Sequence, residues 1–101
     1  MQIKNMKEVI KMEKAIITVI GKDKVGIIAK VTNTLAQCKI NVLDITQTIL
    51  KDMFTMMMIV DISASEKDIS DIRTKLSETG EELGVEIRIQ HEDIFNSMHR
   101  I

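Results

Sequence analysis

The segment Gly21-Lys-Asp-Lys-Val-Gly-Ile-Ile28 gathers the residue types best suited to holding a small molecule. Its two glycines let the backbone turn sharply and approach a ligand closely. A helix beginning at Gly26 offers unpaired N–H groups and a positive dipole end, which favour a carboxylate. Asp23 can accept hydrogen bonds from an ammonium group. Together these groups suit the two ends of a free amino acid. A plainer reading stands beside this one: Asp23 only caps the helix, and Gly26 only permits close packing.

Other reaction chemistry finds no residues to carry it. The sequence has no Cys-x-x-Cys, no His-Glu-x-x-His, no P-loop and no nucleophile-elbow serine. His91 and His99 read as solvated surface residues, and Cys38 falls on the apolar stripe of a helix as a buried structural thiol. Met56, Met57 and Met58 resemble a soft-metal cluster only in one dimension, because strand alternation sends them to opposite faces. Without a nucleophile–base pair, the chain reads as a non-enzyme with neither metal nor cofactor.

Bulk composition narrows the remaining classes. The chain has 101 residues, enough for one domain with one core. A net charge of -1 gives no general attraction to nucleic acid or anionic lipid, and two Phe without Trp or Tyr provide no base-stacking platform. No apolar run has the length of a membrane span. The opening MQIKNMKEVIK lacks the apolar core and cleavage site of a signal peptide, so the expected location is the cytoplasm. Residues 1–11 read as a leader or N-terminal extension before Met12. Residues 12–91 form the domain, and 92–101 form a short helical tail with Ile94, Phe95, Met98 and Ile101 at helical spacing.

The elements that must position the loop follow from periodicity. Ala15 to Ile20 is a β-branched run ending at Gly21, a strand buried on both faces. Ile27, Ile28, Val31, Leu35 and Cys38 then recur at helical spacing. In VLDITQTIL, Leu43, Ile45 and Ile49 alternate with polar residues, and Lys51-Asp52 breaks the pattern as a hairpin turn. Phe54, Met56, Met58, Val60 and Ile62 line an apolar strand face, leaving Thr55, Met57 and Ile59 on the other. Ser65 with Asp68 resembles a capping box before a helix marked by Ile69, Ile72, Leu76 and Leu83 and ended by Gly84. Val85, Ile87 and Ile89 alternate in a last strand. The order βαββαβ predicts an α+β ferredoxin-like sandwich, with a four-stranded antiparallel sheet and two helices on one face.

The loop Gly21 to Ile28, the apolar helix through Leu35 and Ala36, and Asn41-Val-Leu-Asp-Ile resemble the signature of the ACT domain. The element order agrees from Ala15 to about Gln90, and Asp44-Ile-Thr-Gln-Thr48 is similar to the short proteins in which that domain stands alone. The resemblance implies a regulatory domain that binds an amino acid between two domains. One domain would supply Asp23, Lys24, Val25, Gly26, Ile27 and Ile28, and its neighbour Asn41, with Asp44 as a weaker addition. It implies a homodimer, or a higher homo-oligomer, acting on a regulated protein as a metabolic or transcriptional co-regulator. A ligand-free interaction module is the alternative.

Topology bears on that implication. In a split βαβ unit the first two strands run parallel, so Asn41 stands at the opposite end of the sheet from Asp23. One chain can hardly bring both to one small ligand. Two chains across a two-fold axis can.

Overall fold

The computed structural model describes residues 12–94. It runs β1 (Lys14–Lys22), α1 (Ile27–Gln37), β2 (Asn41–Leu50), β3 (Met53–Asp61), α2 (Ile69–Leu83) and β4 (Val85–His91). The strands form one sheet in the order β2-β3-β1-β4, with every neighbouring pair antiparallel. This is the expected ferredoxin-like arrangement. The 1–11 leader and the tail residues Phe95, Met98 and Ile101 lie outside the described residues, while 92–94 are helical.

Alternation sorts the sheet into two faces. Ala15, Ile17 and Val19 of β1 join Phe54, Met56, Met58 and Val60 of β3 in a single buried cluster. Val31 and Leu35 of α1, and Ile72, Leu76 and Leu83 of α2, complete it from the helix layer. Cys38 is buried in the same cluster, as a structural thiol. Between the helices, Thr34 Oγ1 and Thr79 Oγ1 are hydrogen-bonded at 2.7 Å, so these buried hydroxyls are satisfied where the helices cross.

Several local expectations are corrected. Ile28, assigned to the apolar stripe of α1, is 38% exposed, one position past the edge of the buried face. The N-cap of α2 is Asp68, whose carboxylate accepts the Asp71 N–H at 2.9 Å; Ser65 Oγ accepts only the Lys67 N–H, in the turn before the helix. A cap must sit beside the first helical residue to reach the N–H two or three positions on, and Ser65 is too far upstream. The Lys51-Asp52 hairpin turn is present, with Lys51 at φ 61°. Gly84 ends α2 at φ 74°, as expected.

β2 shows what the period of two in VLDITQTIL leaves open. All ten of its residues are exposed, because β2 is the sheet edge next to β3 and lies beyond the helix layer. Its alternation also breaks: the register with β3 shifts between Val42 and Asp44, making Leu43 an extra residue in a β-bulge.

Candidate functional site

β1 carries the chain out of the core cluster to Lys22, and the connection to α1 is the Asp23–Gly26 loop. Its two flanking glycines have different duties. Gly21 lies inside β1, paired with Phe54 and Val85; a Cβ there would stand 2.6 Å from Val85 Cγ1, so this glycine exists for strand packing. Gly26 is the N-cap of α1 at φ 96°, and a Cβ there would meet nothing within 4 Å. Its requirement is backbone conformation, and the space beside it is open.

The beginning of α1 is correspondingly bare. No side chain caps it and its first turn has no acidic residue. Asp23 therefore does not cap the helix, which removes the plainer reading of that residue. Its backbone N–H instead donates to Asp52 O at 2.8 Å, tying the loop to the β2–β3 hairpin turn. Of the other loop residues, Lys24 is exposed, Val25 is 100% exposed, and Ile27 is buried in the core. Ile27 thus offers a ligand only backbone groups, whereas Val25 and Ile28 present apolar surface. Leu50 and Met53, also exposed, lie at the same end of the sheet. The arrangement can receive an anionic group at the helix start, a cationic group at Asp23, and apolar surface beside both.

Asn41 and Asp44 are elsewhere. In the register of the sheet Asn41 stands opposite Asp61, which stands opposite Lys14 at the start of β1. Asp23 follows the far end of the same strand. The strand rise puts the two about 30 Å apart, so one chain does not bring them together. Asp44 Oδ1 accepts the N–H of Ile45 at 2.8 Å, using part of its hydrogen-bonding capacity at the bulge. Beside Asn41, burial works to raise the Asp61 pKa. Hydrogen bonds from Ser63 and the Glu13 N–H, with the charge of Lys14, outweigh it and hold the carboxyl below its ordinary value. A cleft of about 490 Å³ opens at this end of the sheet too, toward β4, between Lys14, His91 and Asp93. It includes none of the expected site residues.

Two features escaped the sequence reading. The Asp23–Asp52 tie spans separate elements and has no local signal. The Leu43 bulge had one: Val42-Leu43 places two apolar residues together before the alternation resumes.

With this geometry established, comparison with known proteins is informative. A family model described as the ACT domain matches residues 13–90. A UPF0237 protein of Clostridium acetobutylicum is 59% identical over 88 residues, covering 87% of this chain and 99% of that protein. An ACT domain protein from Streptococcus pneumoniae superposes with a TM-score of 0.74 at 44% identity, over 83% of this chain and 94% of that one. The regulatory subunit of aspartate kinase from Thermus thermophilus, a ligand-free structure, gives a TM-score of 0.62 at 27% identity. That match covers 78% of this chain and 51% of the subunit.

Proposed function

Because the chain belongs to the ACT domain family, we propose that it is a regulatory module, not an enzyme, which binds a free amino acid as a homodimer and acts on a partner protein in metabolic or transcriptional control. The observation that carries this reading is the placement of the candidate groups. The Asp23 loop and Asn41 occupy opposite ends of the sheet, and the strand that begins at Asn41 is an open edge.

Two-fold symmetry can join them. Antiparallel pairing of β2 with β2 of a second copy sets the start of one strand against the end of the other. The end of β2 leads into the Lys51-Asp52 turn, and Asp52 O holds the Asp23 N–H. Asn41 of one copy is thereby brought toward the Asp23–Ile28 loop of the other, with Asp44 nearby. The amino acid's carboxylate would face the start of α1, its ammonium group Asp23, and its side chain Val25 and Ile28. A ligand bound between copies stabilises the dimer by mass action, about 2.7 kcal/mol at a hundred times its Kd. That linkage converts metabolite concentration into an assembly state a partner can read.

Mixed dimers test the shared site. In Asp23→Ala and Asn41→Ala homodimers both sites are damaged, each by loss of a polar contact worth about 1–3 kcal/mol. A dimer with one chain of each kind concentrates both defects in one site and leaves the other whole. Calorimetry on purified, differentially tagged mixed dimers should recover near-normal affinity at half the normal stoichiometry, using whichever amino acid raises the wild-type Tm. No recovery rejects the shared site, and no Tm increase with any amino acid up to millimolar concentration rejects the ligand class. The second reading, a pairing module without ligand, draws on the apolar side chains exposed along β2. It predicts a partner complex that Asp23→Ala leaves intact.

A further inference from the structure

Beside the Asp23 loop, the helix side of the sheet has an apolar strip that the helices leave open. Ile49 pairs with Phe54, and Phe54 with Gly21, so the three form one row across the sheet, two positions before Asp23. Phe54 is buried under the helices, and Ile49 opposite it points to the same side. Ile49 is nevertheless 51% exposed. The loop is tied nearby, because Asp52, whose carbonyl accepts the Asp23 N–H, is three residues beyond Ile49. The position of the helices explains the exposure. α2 lies toward β4, where Arg73 donates to Ile89 O at 3.1 Å. α1 meets α2 through the Thr34–Thr79 hydrogen bond and the Lys30–Glu82 ion pair. Ile28 falls on the flank of α1 turned away from both contacts, toward the β2 edge.

We propose that the ligand's side chain is uncharged and aliphatic, as in valine, leucine or isoleucine, and lies against Val25, Ile28 and Ile49, with Ile28 and Ile49 determining the preference. The inference rests on the amino-acid reading above and adds the class of side chain. The charges of this region lead away from the strip. On the helix side β2 presents Val42, Ile45, Gln47 and Ile49, each opposite a buried residue of β3, whereas Asp44, its one charged residue, faces the other way. Lys22 follows Gly21 on β1 and points to the opposite face of the sheet. Lys24 Nζ lies 3.9 Å from the place of a Cβ on Gly84, at the end of α2. Asp23 is engaged by the ligand's ammonium group. A side chain on this strip therefore meets carbon and no counter-ion, and a charged one loses hydration without gaining a partner. Removal of an aliphatic side chain from water strengthens binding about tenfold to a hundredfold.

Calorimetry on the full chain with valine, leucine, isoleucine, glycine, serine, aspartate and lysine tests the preference. The three aliphatic amino acids should bind at least about tenfold more tightly than the other four. Glycine, serine, aspartate or lysine binding as tightly as leucine would overturn the inference while leaving the amino-acid reading intact. Binding of none of the seven would remove that reading, and this inference with it. Ile28→Lys supplies the missing counter-ion at a position already 38% exposed. It should shift the ratio of leucine to aspartate affinity toward aspartate by about tenfold or more, and Ile28→Ala should weaken leucine binding alone. A ratio unchanged in the folded Ile28→Lys protein would overturn the role of Ile28, and the wild-type ranking decides the ligand class whether or not that variant folds.

Discussion

Gly21 and Gly26 flank one loop, yet substituting each tests a different force. In Gly26→Ala the new methyl has open space, so the cost is that of an L-residue at φ 96°, about 1–2 kcal/mol. The fold should survive with weakened ligand binding. In Gly21→Ala the methyl collides with Val85 Cγ1, and the overpacking should cost about 1–3 kcal/mol with a disturbed β1–β4 register. Amide chemical shifts separate the two, since only the second should alter them throughout β4. Asp61 gives a prediction of pH dependence. Its folded pKa lies below the ordinary 3.8, so it contributes stability above that value, and the contribution is lost as pH falls through the lowered folded pKa. Asp61→Asn should therefore lose less stability than wild type between pH 6 and pH 3, measured by urea midpoints. At this scale the sequence was readable wherever chemistry is local. Gly84 announced the end of α2, but the true cap, Asp68, was overshadowed by a serine three residues earlier that serves only its own turn.

Among the elements, β3 and the two helices were legible because burial on one face writes a period into the sequence. β2 was not. Its apolar residues have a strand-like pattern, but whether they are covered depends on strand order and helix placement, which no run of ten residues records. Exposure makes β2 the place to separate assembly from folding. Ile45 and Ile49 are 42% and 51% exposed, so lysine at either position removes little from the single chain's core. Ile45→Lys or Ile49→Lys should change intrinsic stability by only about 0.5 kcal/mol. Placed at a β2–β2 seam, either should shift sedimentation from dimer to an 11.5 kDa monomer. A dimer unaffected by both substitutions would exclude pairing through this edge.

For the molecule as a whole, the sequence conveyed the fold and, through it, the separation of the candidate groups to opposite ends of the sheet. The candidate loop is contiguous from Asp23 to Ile28, and the position of Asn41 at the far end of a strand parallel to β1 follows from topology once the element order is known. The tie from Asp23 to Asp52, by contrast, exists only in three dimensions.

The two edges of the sheet differ in a way that governs how far copies can add. β2 is ten residues long, carries a single charge, and behaves as a propagating end. β4 has seven residues and displays the exposed Glu86–Arg88 ion pair, making it a terminated end. Joining two propagating ends consumes both and leaves only terminated ones, so growth halts after a single step. Light scattering across a wide concentration range should therefore reach a plateau at twice the chain mass, with no longer polymers even where the dimer is saturated.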